Sequence, residues 1–103
     1  MSEHETFEAG LSGAECLCQN ERTASRVIDG KAVVITIDQN ELHVLNTVGT
    51  RVWELVDGRP LHSIIDQIVL EFDVERDRAT HDVCAFAERL LSVGAAQIAR
   101  RHG

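Results

Sequence analysis

The chain has 103 residues, of which 44% are hydrophobic and 26% are charged, and its formal net charge is −7. These totals indicate one small globular domain with a single core, and no apolar run reaches the ~20 residues needed to cross a bilayer. The acidic balance argues against nucleic acid as a partner, because such binding depends largely on Lys and Arg that neutralise phosphates.

The N-terminal residues 1–22 are predicted to form a flexible arm, because they combine several glutamates and glycines with no sustained hydrophobic period. The first five positions also lack the basic and then apolar order of a secretory signal. We therefore expect a cytoplasmic protein with reduced thiols. The organised domain is expected to span residues 23–99, followed by a frayed tail over residues 100–103.

A three-stranded antiparallel meander is predicted at the start of this domain. Asp29 and Gly30 lie between two strand-forming runs, and both tolerate the positive φ that a tight hairpin turn requires. A second turn over residues 38–40 leads into a third strand over residues 41–45. We expect this third strand to lie at an edge of the sheet.

Two helices are predicted next along the chain. The first begins at a cap supplied by Asn46 or Thr47, repeats apolar residues at helical spacing, and ends at Gly58, which favours a left-handed stop. The second follows Pro60 and carries its apolar face over residues 64–72.

The third predicted helix is the longest element and runs from near Glu75 to Gly94, with acidic residues in its early turns. Residues 95–98 either form a short last strand or unwind. Three strands followed by three helices, with the last two helices as a helix-turn-helix pair, predict an α+β fold of winged-helix-like arrangement.

These elements together resemble the PqqD family, which is named for pyrroloquinoline quinone biosynthesis and whose fold is also called the RiPP recognition element. The resemblance spans residues 26–98 and rests on Leu45, Asn46, Gly49, Val52, Trp53, Leu55, Asp57, Gly58, Ile64, Phe72, Asp82, Val83, Phe86, Leu90 and Gly94. It implies a non-catalytic chaperone that captures the leader of a ribosomally made precursor peptide. The chaperone presents this leader to a modifying enzyme, such as a radical SAM enzyme.

Two departures qualify this resemblance. Family members often carry threonine after the Asp-Gly turn, where this chain has Pro60. The pattern over residues 46–50 is closer to the general peptide-chaperone branch than to members dedicated to the quinone cofactor. The precursor peptide, the enzyme and the product of the pathway are not encoded in these patterns.

The resemblance implies that the leader pairs with the third strand and lies against the third helix. An edge strand presents unpaired N–H and C=O groups, so an extended peptide can add to it as another strand. The candidate peptide-binding residues on the strand are Glu41, Leu42, His43, Val44 and Leu45. On the helix they are Thr80, Cys84, Ala87 and Leu91, which recur at helical spacing and either line the groove or pack in the core.

No pattern in the chain predicts catalysis, a metal site or a cofactor. Cys16 and Cys18 form a Cys-x-Cys pair far from Cys84, and no nearby histidine completes a four-ligand set. There is no Gly-rich phosphate loop or serine elbow, and the histidines show no helical pairing. Asp82 is predicted to pair with Arg78 one helical turn away.

Two other functions are open at this level. The second and third helices could act as a DNA-reading pair in a winged-helix regulator, although the mixed charges at the start of the third helix suit phosphates poorly. A dimerising accessory subunit could instead pair with itself through the same edge strand. The protein is then either a monomer or a homodimer.

Overall fold

A computed structural model describes residues 13–99, so the predictions for residues 1–12 and 100–103 lie outside the described residues. The elements in this part of the chain are β1 (Cys16–Gln19), β2 (Thr23–Ile28), β3 (Lys31–Thr36), β4 (Glu41–Val44), α1 (Thr47–Leu55), β5 (Asp57–Pro60), α2 (Leu61–Phe72), α3 (Arg76–Ser92) and β6 (Ala96–Ile98). The predicted α+β class, with its antiparallel meander and three helices, is confirmed. None of the described helices combines the length and apolarity that a membrane crossing requires.

The meander consists of β2, β3 and β4 in that order, so β4 lies at an edge as predicted. Asp29 and Gly30 form the β2–β3 turn with φ values of +54° and +79°, the pair of positive values expected for a tight hairpin. Asn40, with φ of +56°, ends the second turn. Local turn chemistry therefore determines both hairpins.

A second three-stranded sheet was not predicted. In it β1 lies between β5 and β6 and runs antiparallel to both. The prediction of a flexible arm over residues 1–22 is wrong for Cys16–Gln19, because Cys16 and Leu17 are buried in the core. A strand of four residues is too short to show a period, and both of its partners come from distant parts of the chain.

The first helix begins as predicted and ends earlier. Asn46 rather than Thr47 provides the cap, since its side-chain Oδ1 accepts a hydrogen bond from the Gly49 N–H at 2.7 Å. The helix ends at Leu55, so the prediction of a stop at Gly58 is wrong. Gly58 has φ of +100° but lies within β5, where the chain turns towards α2.

The two sheets and three helices share one hydrophobic core. Its largest buried side chains come from β1, β3 and all three helices, and they include Leu17, Val34, Val52, Leu61, Ile64, Ile68 and Val83. Both α2 and α3 lie close to their predicted positions, and α3 follows Glu75 as expected. Because α3 buries only part of its circumference, another part of its surface remains open beside β4 and α1.

Candidate peptide-binding site

The backbone of β4 directs its hydrogen-bonding groups alternately to the two sides of the strand. Leu45, directly after β4, donates its N–H to the Ala32 carbonyl at 2.8 Å. Hydrogen-bonded and non-bonded pairs alternate along an antiparallel ladder, so His43 also bonds towards β3. The N–H and C=O groups of Leu42 and Val44 therefore point to the open edge. Within residues 13–99, no strand pairs with that edge.

The five predicted strand residues have different surroundings. Leu42 and Val44 are 61% and 64% exposed on the outer face of the sheet, and Glu41 is also exposed. His43 points inward towards α3, and its side chain is 21% exposed. Leu45 is buried, so its side chain belongs to the core. The accessible part of the predicted strand is thus the backbone edge at two residues, together with the side chain of His43.

A buried hydroxyl fixes the end of β4 against α1. The Thr50 Oγ1 accepts a hydrogen bond from the Ala32 N–H at 2.8 Å and donates to the Leu45 carbonyl at 3.4 Å. The hydroxyl thus stands between an N–H and a C=O that would otherwise bond to each other across β3 and β4. Sequence reasoning missed this role, whose only signal is a threonine among the apolar residues on the buried side of α1.

A narrow crevice lies beneath β4, between the sheet and α3. His43 and Leu45 line one side of it, and Phe86, Arg89 and Val93 line the other. Its volume is about 20 Å³, which suits one water molecule rather than a side chain. The crevice therefore marks a seam between β4 and α3 and is not itself a ligand pocket.

A wider groove continues from this seam between α1 and α3. Its volume is about 490 Å³, within the usual range for ligand sites. Val48 and Val52 form part of the α1 wall, and Phe86 and Arg89 form part of the α3 wall. The crevice and the groove share Phe86 and Arg89, so they are adjacent on one face of α3. We call this second cavity the α1/α3 groove.

The side of α3 that lines the α1/α3 groove is not the predicted stripe. Cys84 and Ala87 are 2% and 1% exposed in the core, so their assignment to a peptide groove is wrong. Thr80 and Leu91 are half-buried on the same side of the helix. At about 100° per residue, this stripe lies roughly opposite the side that carries Arg89. The small residues of the stripe instead allow close packing inside the domain.

The groove side of α3 carries its own helical repeat, which sequence reasoning passed over. Arg78, Asp82, Phe86, Arg89 and Val93 recur at intervals of three or four residues. An aromatic residue among charged neighbours is the signal that could have found this face, because a solvated helix face seldom needs one. The predicted ion pair is confirmed, with Arg78 Nε and Asp82 Oδ2 3.1 Å apart.

The electrostatic contacts around the site are structural. Arg51 on α1 holds Glu71 on α2 through two hydrogen bonds of 2.9 Å, and these lower the pKa of the Glu71 carboxyl below its ordinary value. This pair fixes α1, one wall of the groove.

The His43 Nε2 is buried without a hydrogen-bond partner in the described part of the chain, and the Glu41 Oε1 lies 3.5 Å from it.

Residues 13–99 hold no group of three or more His, Cys, Asp or Glu side chains arranged to hold a metal ion. Cys16 and Cys18, predicted to lie in a mobile arm, are instead part of β1. The candidate site is a strand edge beside a groove of mixed apolar and charged lining, which suits the binding of an extended peptide.

Comparison with known proteins agrees with this geometry. Residues 31–95 match the family described as coenzyme PQQ synthesis protein D (PqqD), and this match covers more than half of the chain. The chain belongs to the PqqD family. The resemblance inferred from the sequence motifs is therefore confirmed, and it includes both β4 and α3.

Two solved structures share the fold of this PqqD-family chain. TbiB1 in complex with the TbiA(beta) leader peptide is 23% identical with a TM-score of 0.72, over 84% of this chain and 99% of that one. Lasso peptide synthetase B1 complexed with the leader peptide is 22% identical with a TM-score of 0.69, over 79% of this chain and 96% of that one. No curated protein sequence matches the chain.

Proposed function

We propose that this PqqD-family protein is a non-catalytic chaperone that binds the leader of a ribosomally made precursor peptide and presents it to a modifying enzyme, such as a radical SAM enzyme. The leader adds as a strand to the open edge of β4. The observation that carries the proposal is the outward direction of the Leu42 and Val44 backbone groups beside the α1/α3 groove. Both similar structures are, by their names, complexes with a leader peptide.

The dimensions of the site suit a short extended segment. From Arg78 to Arg89, α3 rises by about 16 Å, which about five residues of extended peptide would match. The four residues of β4 offer an edge of comparable length. A segment of this size can gain main-chain hydrogen bonds from β4 while its alternate side chains face α3.

The interface of such a segment is small, so the expected affinity is modest. Ordering a free leader also uses part of the favourable interaction energy. A dissociation constant in the micromolar to high nanomolar range, about −8 to −10 kcal/mol, is consistent with these limits. We place this encounter in the cytoplasm, where the precursor is synthesised.

Peptide display tests the proposal without knowledge of the natural precursor. Selection of random short peptides on the wild-type protein should enrich sequences that bind in the stated range. Adding such a peptide should slow amide exchange at Leu42 and Val44, whereas His43 and Leu45 should already exchange slowly in the free protein. Failure to enrich any peptide, or enriched peptides that protect neither edge amide, would contradict the proposal.

Self-association through the same sheet is a second candidate, favoured by an apolar outer face. This face carries exposed aliphatic side chains on all three strands of the meander, namely Ile28, Ile35, Leu42 and Val44. Exposed apolar patches often mark interfaces. Sedimentation over a range of concentrations distinguishes the candidates, because a dimerising subunit should show a concentration-dependent mass and a monomeric chaperone should not.

A further inference from the structure

Most cationic side chains in the described part of the chain are already paired with carboxylates. The ion pairs of Arg22, Arg51, Arg59, Arg76 and Arg78 are all internal to residues 13–99. Within the same residues, Arg26, Lys31 and Arg89 form no ion pair. The first two belong to β2 and β3, away from the groove, whereas Arg89 lines it.

The charge of Arg89 is not compensated within the groove. Asp82 is the acidic residue of the groove lining, and it is held by Arg78 at 3.1 Å. Arg89 also borders the crevice beneath β4, so it lies where the groove meets the strand edge. In a chain with a net charge of −7, this local excess of positive charge is complementary to an acidic ligand.

The apolar part of the lining lies directly beside Arg89. Phe86 is one helical turn earlier on α3, and Val48 and Val52 face it from α1. The rise between Phe86 and Arg89 is about 4.5 Å. Side chains at alternate positions of an extended peptide lie about 6.6 Å apart on one face. One apolar side chain and one charged side chain at such positions can therefore reach both features.

We propose that the site selects leader segments in which an acidic residue stands two positions from an apolar residue, with the acidic carboxylate paired to Arg89 and the apolar side chain against Phe86. This inference rests on the proposed peptide-binding function and adds the chemical class of the recognised segment. An ion pair at an exposed groove adds modest affinity, so its main effect is to discriminate between peptides.

Arg89 also lies in the last turn of α3, where a positive charge favours the helix dipole. A purely structural role would alter the stability of the protein without altering the charge of the peptides that it selects. The charge preference of selected peptides is therefore the measurement that separates recognition from helix stabilisation.

The test compares peptide selections by four proteins, using one displayed library of random short peptides. The proteins are the wild type, Arg89→Gln, Arg89→Glu, and the matched control Arg26→Glu, which makes the same charge change at an unpaired arginine on β2. The wild type and Arg26→Glu should enrich acidic residues two positions from an apolar one. Arg89→Gln should lose this preference, and Arg89→Glu should favour basic residues at that position.

Direct titration should agree with the selections. A peptide chosen by the wild type should bind Arg89→Gln about two- to fivefold more weakly, and the difference should shrink at high salt. Thermal unfolding verifies that each variant is folded. The inference is overturned if the wild type shows no acidic preference, or if Arg89→Glu selects the same peptides as the wild type. It also fails if Arg26→Glu changes the selection equally. If the wild type selects no peptide at all, the proposed function fails together with the inference.

Discussion

Replacing Val44 with proline tests strand addition at a single backbone group. The Val44 N–H points to the open edge of β4, and the side chain is 64% exposed, so the free protein should tolerate the change. A bound peptide would lose one main-chain hydrogen bond, which is worth about 0.5–1.5 kcal/mol net. We therefore expect Val44→Pro to weaken peptide binding about two- to tenfold.

The neighbouring position provides a control in which the effect should be on folding. The Leu45 N–H donates to the Ala32 carbonyl at 2.8 Å, and both residues are buried. Leu45→Pro leaves that carbonyl without its donor, which costs about 1–3 kcal/mol of unfolding free energy, and it also replaces a core side chain, so the total loss should exceed that range. Urea denaturation measures this loss. Val44→Pro should leave the denaturation midpoint nearly unchanged.

The assay is calorimetric titration with a display-selected peptide against wild type, Val44→Pro and Val44→Ala. The alanine variant keeps the N–H, so it reports the contribution of the side chain alone. A folded Val44→Pro protein with wild-type affinity would refute strand addition at this edge. Equal weakening by alanine and proline would show that the side chain, and not the backbone donor, contacts the peptide.

Three further predictions concern the scaffold of the site. Thr50→Val removes the acceptor of the buried Ala32 N–H, so it should lower the unfolding free energy by about 1–3 kcal/mol and speed hydrogen exchange of the Ala32 amide. Thr50→Ser keeps the hydroxyl and should keep that amide protected. Hydrogen bonds from Arg51 lower the pKa of Glu71, so the folded state binds the proton less tightly than the unfolded state. The unfolding free energy should therefore decline as the pH falls below 4.5, the ordinary pKa of a glutamate carboxyl. Glu71→Gln should flatten this pH dependence, as measured by urea denaturation at several pH values. Gly94, which follows α3, has φ of +81°, so Gly94→Ala should lower the unfolding free energy by about 1–2 kcal/mol. An unchanged midpoint of urea denaturation would contradict this reasoning.

Local chemistry in the sequence was sufficient for much of the fold. The Asp29 and Gly30 pair produces a tight turn because both residues tolerate positive φ, and Asn46 caps α1 because its side chain reaches an N–H three residues later. The length and position of α3 follow from a long amphipathic repeat. Asn46 and several residues of α3, among them Asp82 and Phe86, also carried the family resemblance.

The second sheet and the orientation of the binding site required long-range contacts. Cys16–Gln19 becomes a strand only because β5 and β6, far along the chain, supply its hydrogen bonds. The sequence left open whether the α3 stripe that contains Cys84 and Ala87 lines the groove or packs in the core, and tertiary packing buried both residues.

The sequence by itself determined the hairpins, the helix positions, the family and the existence of an edge strand. Only the tertiary structure decided that Val44, rather than Leu45, directs its N–H outward, and that Phe86 and Arg89 line the groove. The reason is that turn and cap signals depend on atoms within a few residues of one another. The phase of a strand ladder and the exposed side of a central helix depend on partners brought together by the folded chain.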